Sequence, residues 1–198
     1  MPLRHTGWAS RRTPLWVFAV IIVLVAGWVL VSLSHKPSQA QRAGDLSGYF
    51  TDVNAGIESC AGGVHDSMTA YGKVASGDTA DFSTAVGILT LGAQNCSPAN
   101  NEPLGDFASY QVTESLAHFP LDTADNDVIT WAFPDAMNAQ QDMLAVLRAS
   151  TPAARTAAKA TLSKALATMD AQRAAIYAIW RDAERSVGSS AALPYLPT

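Results

Sequence analysis

The sequence predicts an all-α protein, with an N-terminal single transmembrane helix followed by an extracytoplasmic, mostly antiparallel four-helix bundle with one crossover segment. Three observations predict it. Leu15 to Leu33 is an uncharged apolar run. Apolar residues beyond it recur at alternating spacings of four and three, the seam of packed helices. Cap-and-proline signals then cut the chain into helix-length pieces. The expected organisation is a short cytoplasmic tail over 1–14, the span over 15–33, and a linker with the start of the first helix over 34–44. The bundle follows over 45–186 and a non-helical tail over 187–198.

The span comes first. Its 19 residues, at 1.5 Å rise each, cover roughly 28 Å, close to the hydrocarbon thickness of a bilayer. Thr13-Pro14 opens it as cap and first-turn proline, where the missing N–H costs nothing. Trp16 and Trp28 suit the two interfaces. Arg4, Arg11 and Arg12 precede it without an acidic residue, which places the N-terminus in the cytoplasm. The alternative is secretion after cleavage near Ala40, where Ser38-Gln39-Ala40 offers small residues at the two positions a signal peptidase reads. The run is longer than the 7–15 residues usual in such a signal, which favours a retained signal-anchor. The twin-arginine pattern at Ser10-Arg11-Arg12 is spoiled by Pro14, and no cysteine follows the run closely enough to carry a lipid.

After Pro37, Ser38-Gln39-Ala40-Gln41 matches a capping box and should start the first bundle helix. Its stripe is Leu46, Phe50, Val53, Ile57, Cys60 and Val64, then Ser67 as a lapse, then Tyr71 and Val74. Ser76-Gly77-Asp78 ends it and caps the second helix, with stripe Phe82, Val86, Leu89, Ala93 and Cys96. Ser97 to Ala124 is the crossover, in which Asp106 to His118 could form a short helix before Phe119-Pro120. The third helix should run from about Asp125 to Ala149, with Ile129, Ala132, Ala136, Ala139, Met143 and Val146 inward. Pro134 must kink or restart it. Thr151-Pro152 opens the fourth, which turns Leu162, Leu166, Met169, Ile176, Trp180 and Ala183 to one face. Its alanine-rich start favours helix.

Cys60 and Cys96 are the two cysteines, and both lie outside the membrane on this topology, so a disulfide is expected. Their midpoint is residue 78, on the turn between the first two helices. Helices normally pack 8–10 Å apart and disulfide Cα atoms lie within about 4.4–6.8 Å, so this hairpin must close up locally. Gly62, Gly63, Gly92 and Ala93 sit where they would permit it.

Charge excludes one partner class. Residues 34–198 carry all 17 acids and 10 of the 13 bases, a net −7 that makes nucleic acid an unsuitable ligand. The basic residues concentrate on the fourth helix, where Arg155, Lys159, Arg173 and Arg181 flank the apolar face within about 80° of one another. If the last two helices turn at Ser150-Thr151-Pro152, facing residues have numbers adding to about 302. Structural ion pairs are then expected for Asp142 with Lys159, Asp127 with Arg173 and Asp122 with Arg181.

Chemistry is not legible. A di-iron site would need paired Glu-x-x-His motifs, and the nearest approach is a single Glu114 four residues before His118. His65, with Met68 nearby, and His118 read as surface or hydrogen-bonded histidines and not as metal or haem ligands. Asp122, Asp125, Asn126 and Asp127 lack the spacing of a calcium loop and suit the positive end of a helix. No nucleophile elbow, phosphate loop or redox Cys-x-x-Cys occurs. The expectation is therefore no catalytic residue, cofactor or metal. The reading is of a non-enzymatic cell-envelope or membrane-complex component, held in the membrane by residues 15–33 and acting through a protein partner. The alternative is a sensor, or a bundle that binds a small ligand or metal between its helices.

Overall fold

The computed structural model describes residues 21–25, 36–77 and 81–197. The chain divides into a unit up to Pro37 and a second from Ser38 onward. In the first, residues 21–25 are helical, with Ile22, Val23 and Leu24 largely exposed. The rest of the expected span 15–33, with the tail before it, lies outside the described residues. No helix among the described residues is long and apolar enough to cross a membrane.

The second unit is all-helical, with bundle-like packing. Two long helices carry it: α1, Gln39–Ala75, and α6, Pro152–Val187. Between them come α2, Phe82–Asn95, α3, Glu102–Phe107, a 3-10 turn at Glu114–Leu116, α4, Leu121–Thr130, and α5, Met137–Arg148. Both long helices start where the sequence places their caps. The Ser38 hydroxyl accepts the Gln41 N–H at 3.1 Å, and the Thr151 hydroxyl accepts that of Ala154 at 3.2 Å, with Pro152 in the first turn. Asp78, expected to cap the second helix, lies outside the described residues, and Asp81 stands immediately before α2. At its far end α6 stops on Gly188, whose φ of +66° suits a residue without Cβ.

The 4-3 stripes go inward. Leu46, Phe50, Val53, Ile57, Cys60 and Val64 of α1 are all buried, as are Leu162, Met169, Ile176, Trp180 and Ala183 of α6. One apolar cluster joins the lower parts of α1 and α6 to α3, α4 and the tail; a smaller one joins Leu89, Met143, Leu144, Val146 and Leu162. Tyr71, Val74 and Val86 are only partly covered and Phe82 is exposed; all four lie towards the turn end of the α1–α2 hairpin.

Two expectations are corrected. The third helix is not continuous from Asp125 to Ala149. It starts earlier, at Leu121, and is broken by a wide turn through Trp131–Ala136, in which Phe133 is extended (φ −140°, ψ 113°) ahead of a cis bond to Pro134. Proline removes a helical donor and forces its predecessor out of the α region, so the chain restarts as α5. The crossover helix expected over Asp106–His118 is likewise replaced by α3, which ends at Phe107, and the separate 3-10 turn. Phe107 presses on Gly56 so closely that a Cβ there would lie 2.7 Å from it. The C-terminal tail is non-helical, as its glycine and prolines imply, yet it is packed. Leu196 is buried, and the Tyr177 hydroxyl donates to the Pro194 carbonyl at 2.9 Å while accepting the Leu196 N–H at 3.1 Å.

Candidate functional site

At mid-height α1 and α2 come into direct backbone contact. A Cβ added to Gly63 would sit 2.9 Å from the Cα of Gly92, so only glycine permits this separation. Cys60 and Cys96 use the approach: their Cα atoms are 4.5 Å apart and they are disulfide-bonded, as the hairpin geometry requires. The polar lapse in the α1 stripe is explained at the same level. Ser67 donates to the Gln140 side chain at 2.8 Å, and that amide in turn donates to the Ala136 carbonyl at 3.2 Å and reaches Cys96 Sγ at 3.4 Å. Four groups that would be costly to bury alone thereby satisfy one another.

Lower down, a second buried polar chain ties three helices together. The Trp180 indole N–H of α6 donates to the Tyr49 hydroxyl of α1 at 3.1 Å, and Tyr49 donates to Asp125 Oδ1 of α4 at 2.6 Å. Aromatic rings enclose it: Phe50 meets Trp180 edge-on at 5.8 Å, and Tyr110 lies 6.0 Å from Tyr49. The second oxygen, Oδ2, is buried without a partner. Burial pushes the Asp125 carboxyl up to about 6; the Tyr49 hydrogen bond opposes this and the charge of Asp122 adds to it. Burial beside Asp125 raises the Tyr49 hydroxyl as well. Tyr110 is pushed up to about 12 by burial first, then by Asp52, Asp125 and Asp45.

The solvent side of α1 carries a groove of about 760 Å³, closed on one flank by Tyr195 of the tail. Thr51, Glu58 and His65 follow one another at two-turn intervals along its floor, and Asn54, Ala55 and Gly62 fill in between. At exposed Gly62 an added side chain would meet nothing within 4 Å. His65 lines this open groove, while His118 lies tilted against Phe119 with ring centroids 3.9 Å apart. Among the described residues no three His, Cys, Asp or Glu side chains gather in a way that could hold a metal ion.

The three expected acid–base pairs are not brought together. Among the described residues the ion pairs are Arg173 with Asp170 and Arg185 with Asp182, each at 3.3 Å within α6. The constant-sum rule assumes an unbroken hairpin, and the Pro134 turn resets the phase of everything before it, so Asp122 and Asp127 lose their register with Arg181 and Arg173. Arg181 instead lies over the Tyr177 ring at 5.5 Å. Asp142 shares a cleft with Asp135 and Lys164, more than a turn along α6 from Lys159, which lies with Arg155 beside Leu147. Exposed pairs of this kind contribute at most about 1 kcal/mol, too little to hold a lysine stem in one place.

Sequence reasoning passed over Tyr49 and Gln140 and the groove residues Thr51, Asn54, Glu58 and Tyr195, and read Asp125 only as an acid at a helix start. A signal existed for two of them. Leu121, Asp125, Val128 and Ala132 are spaced 4, 3, 4, and Ala136, Gln140, Met143 are spaced 4, 3, so each polar residue interrupts an apolar seam. Neither a protein-family model, nor a curated protein, nor a solved structure matches the chain.

Proposed function

We propose that the chain is a single-pass component of a cell-envelope or membrane complex, anchored by residues 15–33 with residues 1–14 in the cytoplasm. The helical unit lies outside and works by protein contact through the α1 groove. The disulfide supports an oxidising compartment. Retention of the anchor is supported by Ser38: cleavage after Ala40 would remove the side chain that caps α1, together with Gln39, which abuts Gly188. N-terminal sequencing of the membrane-bound protein is expected to find the original N-terminus, and a mature start at Gln41 would refute the anchor.

The groove is the observation that carries the contact reading. It is a concave strip along an exposed helix whose small residues let another chain approach closely. A Cβ added at Gly62 meets nothing within 4 Å among the described residues, so a tryptophan there can project into the strip and occupy it. Detergent-solubilised full-length chain is expected to retain a stoichiometric partner, and Gly62→Trp to lose it without loss of thermal stability. A partner retained equally by both removes the groove from the interface. One observation favours a second reading: 760 Å³ falls within the size range of small-molecule sites. A small molecule carried through purification by the wild type and absent from Gly62→Trp, with no protein partner, would establish that alternative.

A further inference from the structure

Glu58 occupies the middle of the groove floor, seven residues from Thr51 on one side and from His65 on the other. Its neighbours one turn away on α1 are Asn54 and Ala55 on one side and Ala61 and Gly62 on the other, all uncharged, and Glu58 itself is exposed. Among the described residues it makes no ion pair, and no lysine or arginine lines the groove. The stretch that supplies all of the groove but Tyr195 has the same sign: residues 43–147 hold fourteen acids and one base, Lys73, a balance that favours a cationic ligand over an anionic one. Tyr195, 60% exposed, adds an aromatic wall. A carboxylate beside a phenol ring, in a trough of small residues, suits a guanidinium or ammonium on an aliphatic stem. The head pairs with the acid and contacts the ring while the stem lies along the alanines.

We infer that the groove receives a basic side chain presented by a segment of a partner protein, with Glu58 as its counter-ion. This rests on the contact reading above and adds the chemistry of the partner. The test uses the full-length chain in neutral detergent and a short labelled peptide of alternating arginine and alanine, with a glutamate–alanine peptide as its opposite, followed by fluorescence anisotropy. The arginine peptide should bind and the glutamate peptide should not. Glu58→Gln should weaken the arginine peptide about tenfold. Glu114→Gln, an exposed acid outside the groove, should leave it unchanged. Equal weakening by both variants would show attraction to diffuse charge and overturn the inference, as would equal binding of the two peptides. Co-purification separates the two levels. A partner lost with Gly62→Trp but kept with Glu58→Gln refutes the counter-ion and leaves the contact surface standing; a partner kept with both refutes the surface itself.

Discussion

Replacing Cys60 and Cys96 together by alanine should lower the unfolding free energy by about 4 kcal/mol. The bond closes a loop of 36 residues, and on the chain-entropy model a loop of that size restricts the unfolded chain by roughly this amount. The native state gives little back on losing it. Both cysteines are buried, and the helices on either side are already held together by the Gly63–Gly92 contact and the Ser67–Gln140 hydrogen bond. The loss should therefore appear as a lower urea midpoint with the far-ultraviolet circular dichroism of the folded protein unchanged. A double variant as stable as the oxidised wild type would show that the unfolded hairpin keeps these helices paired without the bond.

Tyr49→Phe should cost about 3 kcal/mol at pH 7. Removing the one hydroxyl strips two buried groups at once: the Trp180 N–H loses its acceptor, and Asp125 loses the one donor it has among the described residues, leaving both carboxylate oxygens bare. The cost depends on pH, and Asp125 sets the direction. Its carboxyl holds a proton up to about 6 in the folded protein, against an ordinary value of 3.8. Between those values the folded state binds more protons than the unfolded one, so stability falls as pH rises through the window, by about 3 kcal/mol in all. Without the Tyr49 hydrogen bond the ionised form is less favoured still, and in Tyr49→Phe the fall should continue above pH 6. Asp125→Asn should abolish it. Urea unfolding at pH 4 and pH 7 tests this: the stability of wild type relative to Asp125→Asn should drop on going to pH 7, and a constant difference would mean that Asp125 titrates alike in both states.

Asp125 also shows where sequence reasoning stopped. Acids near a helix start have a sufficient explanation in the helix dipole, and that explanation fitted Asp122, Asp125 and Asp127 equally. The helix begins four residues earlier than Asp125, however, which carries that residue into the second turn and onto the buried face. Its donor is Tyr49, 76 residues away, and periodicity says which face a residue occupies but not what waits opposite. Ser67 and Gln140 repeat the case at a separation of 73. The disulfide was legible because both cysteines lie on seams joined by one short turn, where a single assumption fixes the register. The ion pairs of Asp122 and Asp127 required the same assumption across Pro134, and there the chain changes course. The groove left no mark in the pattern, since small and polar residues on an outer helix face are what any solvated helix carries.

The bond between Cys60 and Cys96 also bears on how the protein would respond to being pulled. A chain stretched from residue 38 and the C-terminus transmits tension through the sulfur atoms, so the 36-residue loop behind them is never extended. At about 3.4 Å per residue this withholds roughly 120 Å from the fully drawn length, and a reductant would release it as one discrete lengthening step. The far half of the α1–α2 hairpin would hang slack beside the loaded strand while the rest of the domain came apart.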